Sequence, residues 1–396
     1  LGGFMLAIAI EKWKLHLRIA LKILIFFKGS LALTLLGFIV STAFLSMWIS
    51  NTACTMMMLP ITLSVISLLK EKTPDLTENY PRALLLSIAY ASSIGGIGTL
   101  IGTPPNLLLA SFYSRQFPQD QITFLKWFQF GFPFILILTP IAWLILIFYS
   151  GGFKKLKGNF FELKNYLLEE KKKIGKVSLQ EKLVFYVFLI VSVLWIFRAP
   201  ISFGSFKILG WGSIFPHSSF FHDSFVAIFG ALILFFVKID KKPILEWNEV
   251  EKRVPWGILL LFGGGLALAD TFIESGLSKS ISELFIKFQI LPFPVFLFLI
   301  CSLMVILTEF TSNTAITATM LPVIFSIVPS NTNPLTLLLP ATISASLAFM
   351  LPVATPPNAI VFSSGHLKVS TMLKVGISLD IIALFLLTSL SLIILK

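Results

Sequence analysis

Charge is scarce in this chain: 13% of its 396 residues are Asp, Glu, Lys or Arg, whereas 56% are hydrophobic and mean hydropathy is +0.91. A water-soluble domain of this length carries about twice that charged share, so the composition excludes a soluble globular protein and reads as a polytopic helical membrane protein. The long continuous apolar runs lack the alternation of a β-barrel. Only two cysteines occur, Cys54 and Cys301, both in apolar runs, which excludes a disulfide framework. The four histidines, His16, His217, His222 and His366, fall in loops or surface segments, with nothing to group them as metal ligands. No G-x-S-x-G occurs, and no histidine or pair of facing aspartates lies at membrane depth. An embedded enzyme therefore lacks its nucleophile–base pair. The order of a signal peptide is missing too, because "LGGFMLAIAI" precedes the basic "EKWKLHLRIALK".

The charge that is present is concentrated. The net charge is +12, and the loop 153–182 alone holds nine lysines against four glutamates. That distribution sets membrane topology, with Lys and Arg gathered in cytoplasmic loops, and argues against a nucleic-acid partner. Simple spans of about 20 apolar residues fit 129–149, 183–199, 223–237, 255–271 and 375–395. Residues 31–69 are too long for one span and have cations at both ends (Lys22 and Lys28; Lys70, Lys72 and Arg82). This is the pattern of a re-entrant hairpin with "SMWISNT" near its tip, and 296–328 repeats it around "FTSNT". Residues 83–113 and 335–363 are also over-long, each with a double proline, "GTPPN" at 102–106 and "ATPPN" at 354–358. Proline breaks the helical ladder, and at membrane depth a break is tolerated only inside protein or beside an aqueous cavity.

These elements recur in order. "ISNTACTMMMLPI" at 49–61 and "TSNTAITATMLPV" at 311–323 share eight of thirteen residues without a gap. "LGGFMLAIAI" at 1–10 resembles "FGGGLALADT" at 262–271, and the spacing to the following Ser-Asn-Thr is the same within one residue. With residues 11–28 on the cytoplasmic side, the spans place 153–182 and 238–253 inside and 200–222 outside, and the second hairpin enters from the face opposite to the first. The sequence thus predicts an all-α polytopic membrane protein built of inverted repeats, each with a re-entrant hairpin and a broken transmembrane helix. Two complete spans precede the second copy after loop 153–182 and none precedes the first; with Leu1 as first residue, further N-terminal helices are expected ahead of this segment.

A single Ser-Asn-Thr in a membrane helix serves interhelical hydrogen bonding as readily as a ligand. Two, paired with two breaks, point to a site near the bilayer midplane. Helix N-termini there suit an anion, and exposed carbonyls with Ser, Thr and Asn oxygens suit a small hard cation. No Lys, Arg or His lies in the cores of these four segments. An anionic substrate would then be balanced by co-bound cations and helix dipoles. Three carboxylates lie in or beside apolar runs. For Glu309 two readings stand, tuning a cation or proton site and acting as a structural partner; Asp270 reads as structural and Asp380 is unassigned. A channel is the rival class, but channels repeat such elements through symmetric subunits rather than as two inverted copies in one chain.

Both S-N-T motifs (50–52 and 312–314), both T-P-P-N breaks (103–106 and 355–358) and "ASLAFMLPVATPPNAIV" at 345–361 resemble the divalent anion–sodium symporter family of dicarboxylate, citrate and sulfate carriers. The resemblance runs over nearly the whole chain. It implies one sodium site from Ser46, Ser50, Asn51 and the carbonyl of Gly102, and a second from Thr308, Asn313 and the carbonyls of Thr311 and Ala354. It implies substrate contacts from Asn51, Thr52, Thr103, Asn313, Thr314, Thr355 and Pro356. It also implies a homodimer in the cell (inner) membrane, in contact with lipid, working as an elevator. Residues 30–150 and 291–396 would move against a scaffold of 1–29 and 151–290. The expected function is sodium-coupled uptake of a small divalent anion, a C4 dicarboxylate such as succinate; sodium-independent dicarboxylate exchange and sodium–sulfate symport are the alternatives.

Overall fold

Apolar sequence that must satisfy its own backbone polar groups becomes helix, and helices dominate the computed structural model of the chain. It describes all residues except 28, 73–77, 157–160, 204–205, 216–220, 278–279, 281–282, 284–290, 330–331 and 396. Lys28 and His217 therefore lie outside the described residues, as does most of the stretch expected to lead into the second hairpin. Among the described residues five helices are long and apolar enough to cross a membrane: Asn51–Glu71, Phe124–Tyr149, Leu179–Ile196, Phe293–Phe310 and Val369–Ile394. Trp256–Glu274 follows the expected span at 255–271. Asp223–Phe236 is a helix as expected but has 14 residues, about 21 Å at 1.5 Å per residue, short of a ~30 Å hydrocarbon core.

The 31–69 run is two helices, Leu31–Ser46 and Asn51–Lys72, separated by Met47–Ser50. Ser30 caps the first by accepting from Leu33 N. The second arm returns beside the first, since the Cys54 thiol donates to Thr42 O, twelve residues back. Phe293–Phe310 and Asn313–Ser326 form the matching pair. Each returning arm carries a proline of the shared M-L-P, Pro60 and Pro322.

The two broken helices form the centre of the fold. Asn79–Ile97 is buried at every position from Ala83 onward, and all ten residues of Leu335–Ser344 are buried. Small residues permit this: a Cβ on Gly95 would lie 2.1 Å from Ala43 O, so the first hairpin packs backbone to backbone against the helix. After the breaks the chain resumes as Pro104–Gln116 and Pro356–Phe362. In both, proline occupies the first helical turn, where a missing N–H costs nothing. The breaks differ in length: Gly98–Thr103 against Ala345–Thr355.

Phe124–Tyr149 and Val369–Ile394 pack against these central elements and Trp256–Glu274 against Asn313–Ser326, whereas Gly2–Lys12, Leu15–Phe26, Leu179–Ile196 and Asp223–Phe236 pack on one another. Gly2–Lys12 lies on Asp223–Phe236, where a Cβ on Gly2 would fall 2.6 Å from the Ala227 backbone. The surface helix Leu15–Phe26 is tied to Leu179–Ile196 by a buried pair, Arg18 with Glu181, whose two carboxylate oxygens accept at 2.5 and 3.0 Å. Loop 153–182 contains the helix Phe161–Lys173. Two short β ladders, Ile201–Phe203 with Phe206–Ile208 and Lys238–Ile239 with Lys242–Pro243, depart from an all-helical reading; both sit in connections.

Candidate functional site

A helix end leaves carbonyls without partners, and inside a membrane protein something must supply donors. At the first break Asn106 does so: its Nδ2 donates to Gly96 O at 3.0 Å and Thr99 O at 2.8 Å. At the second, Asn358 Nδ2 donates to Ala348 O at 3.1 Å and Leu351 O at 2.9 Å. These are the asparagines of the two T-P-P-N motifs, and each bridges the carbonyls ten and seven positions before it. Neither was among the expected site residues, although the motif's final residue was the available signal.

The hairpin ends are built in the same paired fashion. The Ser46 hydroxyl lies 2.7 Å from Asn51 Oδ1 and 2.6 Å from Ser92 O. Thr308 Oγ1 lies 2.8 Å from Asn313 Oδ1 and 2.6 Å from Ala345 O. Thr55 and Thr317 then donate to the Asn51 and Asn313 carbonyls at 2.9 and 2.7 Å. Two oxygens compete for a single hydroxyl proton at Ser46 and again at Thr308, which makes both clusters rich in acceptors.

Both ends open onto one cavity of about 1530 Å³. Of the thirteen expected site residues all but Ser46, Thr308 and Thr311 line it. Ser46 and Thr308 are fully buried one layer behind, where they hold the two asparagines. Thr311 is exposed and its hydroxyl donates to Leu307 O at 2.9 Å. Thr103 and Thr355 are both 4% exposed. Thr355 caps its helix by accepting from Asn358 N, while Thr103 makes no such cap bond.

The cavity lining also carries charges that the motifs did not signal. Arg198 and Arg253 line the cavity, and each is neutralised locally: Arg253 donates to Glu11 Oε2 at 2.5 Å, and Arg198 to Asp223 Oδ1. Asp223 also accepts from the backbone N–H of Phe124 at 2.6 Å. His222 lines the cavity as well, its Nδ1 3.0 Å from Gln121 Oε1.

The other intramembrane candidates resolve differently. Glu309 is buried and accepts from Met350 N and Leu351 N, both at 2.9 Å, so it ties off the second break. Asp270 pairs with Arg115 at 3.1 Å, both side chains half exposed. Asp380 is buried at 2% exposure. Among the described residues no group of three or more His, Cys, Asp or Glu side chains forms a metal cluster.

Residues 1–394 match the profile of the sodium:sulfate symporter transmembrane region. The chain belongs to the sodium:sulfate symporter family. It is 39% identical over 396 residues to the sodium-dependent dicarboxylate transporter SdcS of Staphylococcus saprophyticus, covering 97% of this chain and 73% of that protein. The SdcS protein of Staphylococcus aureus gives the same identity over 395 residues, with the same coverage. In fold the symporter is similar to the YdaH transporter of Alcanivorax borkumensis, with a TM-score of 0.64 at 12% identity over 99% of this chain and 84% of that one. Family membership makes the symporter an integral membrane transporter, not an enzyme, with sodium as its co-transported ion.

Proposed function

We propose that the protein couples sodium to uptake of a small divalent anion, a C4 dicarboxylate such as succinate. The observation that carries this reading is the doubled construction: a hydroxyl, an asparagine and a bridged helix break, present twice and facing one cavity. Oxygen clusters at Ser46–Asn51 and Thr308–Asn313 suit sodium, with Ser50, Gly102, Thr311 and Ala354 completing the sites. The N-termini of Pro104–Gln116 and Pro356–Phe362, with Thr52, Thr103, Thr314, Thr355 and Pro356, offer donors and partial positive charge to carboxylates. The cavity's arginines already have carboxylate partners, which leaves co-bound sodium to balance a dianion. The relatives named as sodium-dependent dicarboxylate transporters support the dicarboxylate over sulfate.

In this reading the two hairpin–broken-helix units are inverted repeats. Residues 30–150 and 291–396 move as an elevator against 1–29 and 151–290, in a homodimer in the cell membrane with the lysine-rich loops cytoplasmic. The contacts of Asp223 with Phe124 N and of Arg115 with Asp270 join the two groups and would break in that motion.

The test is labelled succinate uptake into proteoliposomes under an inward sodium gradient, then without sodium but with internal succinate. Uptake that requires the gradient, and that excess sulfate leaves unchanged, supports the reading. Equal uptake by exchange without sodium, or inhibition by sulfate with no response to dicarboxylates, replaces it by one of the alternatives.

A further inference from the structure

The two halves of the molecule share their break architecture but differ at one place. In the first half, Gly98 stands eight residues before Asn106, and a Cβ added to it would lie 2.5 Å from Ile135 Cδ1 and 3.2 Å from Met47 Cγ. The break is wedged between two apolar side chains. In the second half, Met350 stands eight residues before Asn358 and takes the same place. Met47 precedes Asn51 by four residues, as Glu309 precedes Asn313. Gly131 is pressed onto Ile97 O (2.6 Å from an added Cβ) as Gly376 is pressed onto Phe349 O (2.3 Å), and Ile135 and Asp380 each follow their glycine by four. The second half therefore carries Glu309 and Asp380 where the first carries Met47 and Ile135. Packing of the break does not require carboxylates, since Ile135 and Met47 do that work in the first half.

The two acids are not equivalent. Glu309 accepts two backbone N–H bonds, from Met350 and Leu351, which favour its ionised form. Neither oxygen of Asp380 has a hydrogen-bond partner of normal geometry; the Phe349 backbone amide acts on it only weakly. The charged group that acts on it is Glu309, of like sign. Among the described residues, the elements packed against its helix offer no compensating cation. Phe293–Phe310 carries Cys301 and Glu309 and Leu335–Ser344 no titratable group; Asn79–Ile97 carries Tyr80, bonded to Leu31 O, and Arg82, paired with Glu78, and reaches over with Tyr90, whose hydroxyl donates to Met372 O. Phe124–Tyr149 carries Lys126, paired with Asp120 at the helix start, and Tyr149 at its end. A buried carboxylate with no well-formed hydrogen bond and a second carboxyl nearby is stabilised by a positive charge. A sodium ion requires several converging oxygens, whereas a proton requires only the carboxyl itself.

We propose that Asp380 is a proton-binding site of the second half, whose occupancy enters the transport cycle through the break at Phe349–Leu351. The coupling half of this proposal rests on the carrier reading above; the proton-binding half does not. Proton release would set two anions on either side of a segment that ends at Ala354 and Thr355, within the cavity wall.

Two measurements test it. In infrared spectra of the purified protein, the C=O stretch of a buried protonated carboxyl should be present in neutral medium and absent in Asp380→Asn. Should that variant not fold, Asp380→Glu should shift the band. In proteoliposomes, the ratio of wild-type to Asp380→Asn sodium-driven uptake, which cancels titration of the substrate, should change by at least about threefold from mildly acidic to mildly alkaline medium. Asp380→Ile, which installs the first half's residue, should give the same flattened response. Absence of an Asp380-dependent band, or a ratio constant with pH, overturns the proposal. The infrared result stands even if no sodium-driven uptake of dicarboxylates is found, so failure of the carrier reading is separately visible.

Discussion

Asn358 Nδ2 donates to Leu351 O at 2.9 Å and so bridges the second break, as Asn106 bridges the first with its bond to Thr99 O at 2.8 Å. Both asparagines are fully buried. Asn358→Asp keeps the shape but removes both donors and places oxygen against two carbonyls. Each carbonyl left unpaired costs about 1–3 kcal/mol. The expected outcome is a Tm lowered by several degrees with transport lost, and Asn106→Asp should behave alike. A thermal-shift assay on the purified protein checks it; an unaltered Tm in both variants would show that the bridges are dispensable.

Asn51 and Asn313 each receive a buried hydroxyl and each faces the cavity. Asn51→Ala and Asn313→Ala should each weaken sodium-dependent succinate binding at least about tenfold, roughly 1.4 kcal/mol. Titrating sodium at fixed succinate is the direct measurement, and unchanged affinity in both variants would sink the assignment of the two cation sites.

Thr103 and Thr355 test the anion side. Valine keeps their volume and removes the hydroxyl. Substrate affinity should fall more than sodium affinity in both variants. Thr355→Val should additionally lower stability by about 1 kcal/mol, because only Thr355 caps its helix. A larger loss of sodium affinity than of substrate affinity would reverse the assignment.

Much of this architecture is legible in the sequence because its signals are local. Proline and the apolar run lengths marked both breaks, and the thirteen-residue match marked both hairpin ends; ten of the thirteen residues carried over from the family resemblance line one cavity. The hidden parts depend on partners distant in sequence. Arg198 and Arg253 reach the cavity wall only through tertiary packing, and no spacing pairs Arg253 with Glu11, 242 residues away. For Glu309 the sequence supports a structural reading and a cation- or proton-site reading alike, because its donors, the Met350 and Leu351 amides, are free only where the second break is irregular. The inequality of the two breaks was equally out of reach, since both carry the same T-P-P-N.

The buried pair of Arg18 with Glu181 gives the last prediction. It joins the surface helix Leu15–Phe26 to Leu179–Ile196, with side chains 8% and 4% exposed, and Arg18 also donates to Gly175 O at 3.1 Å. Removing one partner strands the other charge, which costs about 3–5 kcal/mol, whereas replacing both by apolar residues of similar volume is often neutral. Glu181→Leu alone should therefore lower Tm sharply, and Arg18→Met with Glu181→Leu should recover most of the loss. Because the pair lies away from the cavity, the double variant should keep its apparent affinities for sodium and succinate. Thermal shift on the single and double variants, with uptake measured in parallel, separates the two possibilities. Recovery of Tm without recovery of uptake would mean that the surface helix takes part in the transport cycle and is not merely anchored by this contact.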